Sequence, residues 1–157
     1  MKKIFNIMFA AVAICLTAAC QKEEIKDSSI MNPAFVGEWH LSTVEVDGAL
    51  QDYPYDVYLS INSDCTFVLY QKSGTQMRYT KFTGTCKLVD DILSGIYSSG
   101  KSWGDSYTAM VVGDMLTLMS SNGLEVQEYV KESLSAEEKL AADISTRAAT
   151  NSIAPIL

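Results

Sequence analysis

From residue 32 to residue 132, polar and apolar side chains alternate in short runs broken by turn-forming residues, the period of half-buried β-strands. The pattern predicts strands near Gly37–Val46, Val57–Ile61, Thr66–Lys72, Met77–Leu88, Ile92–Ser98, Ser106–Val112, Met115–Ser120 and Leu124–Lys131. Between them lie Asp47-Gly48, Asn62-Ser63-Asp64, Ser73-Gly74, Asp90-Asp91, Ser99-Gly100, Gly113-Asp114 and Ser121-Asn122-Gly123, residues that reverse a chain at low steric cost. Every connection is short, so successive strands are expected to pair as antiparallel hairpins. Eight such strands dispose of their exposed edges by closing on themselves. The expected fold class is all-β: an eight-stranded antiparallel up-and-down barrel with a short C-terminal helix. A two-sheet sandwich would need longer crossovers.

The helix is expected to start at the capping box Ser135-Ala136-Glu137-Glu138 and run to about Ala148. Leu140, Ala141 and Ile144 would form one stripe against the outside of the barrel. In a meander, alternate loops share an end. Asn62–Asp64, Val89–Asp91 and Gly113–Asp114 are tight and make a closed floor. Asp47–Asp56, Ser73–Gln76, Ser99–Asp105 and Ser121–Gly123 make an open mouth. Two aromatic groups, Tyr53-Pro54-Tyr55 and Ser102-Trp103-Gly104, fall in the long mouth loops. They either present a rim for a ligand or pack down as a lid on the core. Arg78, with Thr80 and Phe82, is expected to point inward, and Glu128 to share the inner face of the last strand with Leu124, Val126 and Val130. An inward Arg78 meets a carboxylate ligand or pairs with Glu128, or it turns outward if a bulge shifts the phase.

The first nineteen residues follow another pattern. Met1-Lys2-Lys3 is a basic start, Ile4–Leu16 is apolar apart from Asn6, and Thr17-Ala18-Ala19 are small residues before Cys20. This is the layout of a bacterial secretion signal, and the run is short for a bilayer span. Small residues followed by Cys resemble the lipobox of bacterial lipoproteins, here with Leu at Leu16, one place further out than usual. The resemblance implies cleavage before Cys20 and a lipid on its thiol, and two or three acyl chains anchor stably where one binds reversibly. Gln21-Lys22-Glu23-Glu24 resembles the export signal of bacteroidete-type surface lipoproteins, which implies an outer-membrane protein facing the cell exterior. Composition alone reads the same stretch as a solvated tether over residues 20–31. Loss of residues 1–19 removes Lys2 and Lys3 and takes the net charge from −7 to −9, ten basic against nineteen acidic side chains. Such a body is repelled by anionic surfaces, so the lipid does the anchoring and the domain stands off. The same charge argues against nucleic acid as a partner.

Within the body, Phe35-Val36-Gly37-Glu38-Trp39, Asn62-Ser63-Asp64-Cys65-Thr66-Phe67 and Tyr129-Val130-Lys131 resemble the bacterial lipocalin-like domains over Pro33–Lys131. The resemblance implies a calycin-type barrel spanning residues 32–132, followed by a helix and tail over 133–157. It also implies a basic residue over the indole of Trp39, for which Lys131 fits; both fall at the floor. Cys65 departs from the family, which carries a turn glycine there.

Facing the apolar set Cys65, Phe67 and Leu69 with Phe82, Gly84 and Cys86 suits a register that sets Cys65 beside Cys86. The Ser73–Gln76 turn prefers a register one step away. An exported pair either forms a disulfide or stays as two buried thiols. One histidine, His40, faces away from Trp39 and has no second His or exposed Cys with which to build a nucleophile–base pair. The chain therefore reads as non-enzymatic, with no cofactor and no metal site. Two functions remain: a carrier of a small apolar or amphipathic ligand, or an interaction module for a surface protein or glycan. In the second case the barrel is filled by Phe67, Leu69, Phe82, Ile96, Leu116 and Leu118.

Overall fold

The computed structural model describes residues 30–144 and 154–157. The proposed leader, Cys20 and residues 21–29 of the tether lie outside the described residues. Eight strands form the wall: β1 (Gly37–Val46), β3 (Tyr55–Ile61), β4 (Thr66–Ser73), β5 (Thr80–Val89), β6 (Ile92–Tyr97), β7 (Tyr107–Val112), β8 (Met115–Ser120) and β9 (Glu125–Lys131). Each pairs antiparallel with its neighbour in sequence, and β9 pairs with β1, so the sheet closes. A two-residue β2 (Ala49–Leu50) folds back on β1 through Asp47 and Gly48, both at positive φ, and a two-residue β10 (Asp143–Ile144) runs parallel to β5.

Alternation puts one apolar set inside. Trp39, Val57, Leu59, Ile61, Phe67, Leu69, Leu93, Leu116, Leu118 and Tyr129 are essentially fully buried. Each removes a side chain from water at about 1.5–3 kcal/mol, and together they fill the floor half of the lumen. Trp39 anchors that half. It is the Cα partner of both Leu59 and Lys131, its Nε1 donates to the Phe35 carbonyl at 3.0 Å, and the Lys131 ammonium lies 5.4 Å from its ring. Met31 and Phe35 close the floor from below, so the packed body already includes Met31, which the sequence pattern had left in the tether.

Several expectations are corrected. β5 starts at Thr80 rather than Met77, and the longer connection absorbs the conflict between turn and register. Phe67 faces Gly84 and Thr66 faces Thr85, and the Cys86 amide donates to the Cys65 carbonyl at 2.8 Å. Of the two states left open for the cysteines, the structure has the pair of buried thiols. Cys65 has φ of +61°, the left-handed backbone that the family's glycine would supply. Ile96 points out and is half exposed; the inner face of β6 is Leu93, Gly95 and Tyr97. In β9 the phase is reversed: Gln127 and Tyr129 are inside, while Glu128 lies outside and accepts from the Thr43 hydroxyl at 3.0 Å. The valines flanking Glu128 mislead because a fully buried glutamine occupies the opposite face.

The helix α1 covers only Ala136–Ala141, capped by Ser135, whose hydroxyl accepts from the Glu138 amide. It stops because Asp143 and Ile144 pair with Thr80 and Lys81 as β10. Leu140 and Ile144 are exposed; the segment docks instead through Leu134, which is buried with Tyr70 and Tyr79 on the outer wall.

Gly84 marks the tightest point of the wall. A Cβ there would lie 2.1 Å from the Ile96 carbonyl oxygen and 2.7 Å from the Phe67 ring. Gly84→Ala is expected to cost about 1–3 kcal/mol, read as a lower denaturant midpoint; an unchanged midpoint would refute this packing.

Candidate functional site

The mouth half of the lumen differs from the floor half in carrying polar groups. Gln71 follows Phe67 and Leu69 on the inner face of β4 and is fully buried. On β9 the Tyr129 hydroxyl donates to the Gln127 side-chain oxygen at 2.6 Å, and the Gln127 amide donates on to Glu125. Tyr97 and Tyr107 complete the lining from β6 and β7. Burial pushes the phenols of Tyr97, Tyr107 and Tyr129 well above their ordinary range; nearby tyrosines and, for the last two, Glu125 add to the effect. These side chains set a few fixed donors and acceptors among apolar walls, the composition of sites that orient a small guest.

Trp103 is the aromatic that turns inward from the rim. It is almost fully buried, edge-on to Phe67 at 5.1 Å and to Tyr107 at 6.3 Å, and it lies against Gly95, where a Cβ would meet its ring at 2.2 Å. It fills the gap where β6 and β7 part company after pairing only at Ile92–Leu93. Its Nε1 is buried without a hydrogen-bond partner. Tyr53 and Tyr55 are partly buried, 5.2 Å apart, and pack on the core from the β1–β3 side. Arg78 is exposed and faces Asp143 across 3.7 Å, on the outside of the mouth and away from Glu128, because it precedes the first residue of β5. Of the residues singled out from sequence, the mouth gathers Tyr53, Tyr55 and Trp103 and leaves out Arg78 and Glu128. Trp39 and Lys131 lie at the opposite end.

The sequence reading missed Gln71, Gln127 and Tyr97. The available signal was polarity at an inward phase: Gln71 continues the run Phe67, Leu69, two residues on.

The mouth is occupied by the chain itself. Residues Ala154–Leu157 lie across it: the Gln71 amide donates to the Ala154 carbonyl at 3.1 Å, and the Gln71 side-chain oxygen accepts from the Ile156 amide at 3.1 Å. The Tyr97 hydroxyl donates to the Leu157 carbonyl at 2.7 Å, and Leu157 is buried in the main core. Burying Leu157 contributes about 2 kcal/mol, and three hydrogen bonds add about 1 kcal/mol each. Ordering four residues costs about 1–1.5 kcal/mol each, so the two sides nearly cancel.

On the outer wall, a cleft of about 500 Å³ opens where β1 and β3 separate beyond His40 and Tyr58. His40 stacks on Tyr58 at 4.2 Å, with Nε2 2.9 Å from Asp56 and Nδ1 3.0 Å from Glu132. Asp56 also accepts from the Tyr79 hydroxyl. Burial pushes the Tyr58 phenol up to about 12, with Asp56 and then Glu132 adding to it. The cluster ties the splayed strands together. Among the described residues, no group of His, Cys, Asp and Glu side chains is placed to hold a metal ion.

The lipocalin-like domain model matches residues 35–138. The chain belongs to the lipocalin-like domain family. In structure this lipocalin-like barrel is similar to the lipoprotein YedD from Klebsiella pneumoniae subsp. pneumoniae, with a TM-score of 0.45 and 13% identity over 73% of this chain and 86% of that one. No curated protein matches it in sequence.

The raised tyrosines fix a sign for the alkaline limb of stability. The unfolded chain releases these protons near pH 10 while the fold retains them, so stability falls as pH rises above 10 and is fully present below. The urea midpoint is expected to drop above pH 10, with phenolate absorbance at 295 nm from these three tyrosines appearing together with unfolding. Full phenolate absorbance in the folded chain would contradict their burial.

Proposed function

We propose that this lipocalin-like protein is anchored to the outer membrane through lipid on Cys20, faces the cell exterior, and binds a small apolar or amphipathic molecule in the mouth half of its barrel. The observation that carries the ligand reading is the placement of fully buried Gln71 and Gln127 among the apolar and aromatic side chains of the mouth half. A barrel that served only as a packed scaffold gains nothing from amides there, since each must find partners or cost about 1–3 kcal/mol. A chamber that orients a guest needs a few such groups. The leader, the small residues before Cys20 and the Lys-acidic run after it support the anchor and its orientation. The floor half, packed around Trp39, limits the guest to the mouth.

Native mass spectrometry of the chain from Gln21 onward, expressed in an extract of its own cells, is expected to show an added mass that leaves on denaturation. At a hundredfold excess over Kd the same ligand is expected to raise the melting temperature by roughly 5–10 °C. A bare mass together with an unmoved melting temperature across a panel of fatty acids, lysolipids and sugars overturns the carrier reading. Independently, Cys20→Ser in the full chain is expected to abolish incorporation of labelled palmitate; undiminished labelling overturns the anchor.

A further inference from the structure

We propose that Ala154–Leu157 is a tethered ligand: it occupies the mouth site in cis, must leave before an outside molecule enters, and shows that the site selects an extended apolar peptide. This rests on the ligand reading above and adds the class of ligand and the means of its control.

The geometry is that of peptide recognition. One carboxamide, Gln71, donates to the carbonyl of Ala154 and accepts from the amide of Ile156, the pair of bonds an adjoining β-strand would make to an extended chain. Pro155 lies between them. It has no amide to leave unpaired, and its ring holds φ near the extended value. Tyr97 supplies a third bond from β6, two strands away, so the segment spans the mouth above β5. Each of these partners points into the lumen and is buried, which separates the contact from a tail lying on a surface. Ile156 and Leu157 pack into the main core cluster, and Leu157 is almost fully buried. A fatty carboxylate satisfies only the donor of Gln71, having no hydrogen to give its oxygen. A peptide satisfies both.

The chain is also led to this place. Asp143 and Ile144 pair with Thr80 and Lys81, on the edge of β5 that β6 leaves unpaired at the mouth end. That pairing delivers the chain to the rim. A cis occupant lowers the apparent affinity of an outside ligand by the fraction of time the site is vacant. Because burial and ordering nearly cancel for these four residues, the segment is a weak occupant that a better-fitting peptide replaces.

The test uses the full chain in lipid nanodiscs, a second form lacking only residues 154–157, and two probes: the dansylated amide of Ala-Pro-Ile-Leu, and dodecanoate. The shortened form is expected to bind the dansyl peptide about twofold more tightly than the full chain, the factor for a segment that fills the site about half the time. Gln71→Leu in the shortened form is expected to weaken the peptide about tenfold, from two lost hydrogen bonds, with little effect on dodecanoate. Equal peptide affinity with and without residues 154–157 overturns the tethered ligand and leaves the ligand reading standing. Binding of dodecanoate but not of the peptide overturns the peptide class and again leaves that reading. Failure of both probes to bind a shortened form with native circular dichroism sinks the ligand reading as well. Hydrogen–deuterium exchange on the unaltered chain depends on no variant's folding: saturating dansyl peptide is expected to raise uptake in the fragment bearing Ile156, and unchanged uptake overturns displacement.

Discussion

Closure of β9 onto β1 is the constraint from which the rest of the molecule follows. With that seam made, no wall strand has a free edge along its floor half, and every inward side chain must share one narrow interior. The seam is made at Trp39, whose backbone registers with Leu59 on one side and Lys131 on the other, and whose indole is held by the Phe35 carbonyl below. Residues before β1 are drawn in as well: Met31 donates its amide to Ser63 and is buried beneath the floor. The cost of crowding appears at Gly84 and Gly95, where only a hydrogen fits between wall and ring.

The two ends solve the interior differently. At the floor, large apolar side chains and Trp39 leave little space, and the lysine over the indole covers the last exposed face. At the mouth the wall loosens. β1 leaves β3 after His40, β6 leaves β7 after Leu93, and the gaps are managed by Tyr53 with Tyr55 and by Trp103. The inner face there becomes polar, with fully buried Gln71 and Gln127 set among apolar and aromatic side chains and Gln127 bonded to Glu125. A peptide segment of the same chain meets one of them. Outside, His40 between Asp56 and Glu132 bridges the parted strands, so the lone histidine of the chain has a structural task.

How legible this was from the residues varies with the distance over which the deciding forces act. The eight strands were readable because turn chemistry and a two-residue period are local: Met115–Ser120 and Gly37–Val46 coincide with their expected limits. The closed end and the open end followed from loop lengths. Glu128 was misplaced because valines at 126 and 130 imitate an inner face, while the real inner face carries Gln127 beside Tyr129. Arg78 was misplaced because the start of β5 depends on a register set by Phe67 against Gly84, which the intervening turn does not reveal. Helix α1 was extended too far because Asp143 and Ile144 suit a helix locally and are claimed instead by the edge of β5.

By itself, the sequence determined the all-β meander, its hairpin order and its closed floor, since these depend on neighbours in the chain and on one alternation; the Trp39–Lys131 pairing was legible only through the family resemblance. Only the tertiary structure decided which face of β9 looks inward, where Trp103 comes to rest, that Cys65 and Cys86 are buried on neighbouring chain segments, and that residues 154–157 lodge between Gln71 and Tyr97. Each of those outcomes is a competition for the same interior volume among residues far apart in sequence, and such a competition has no local signature.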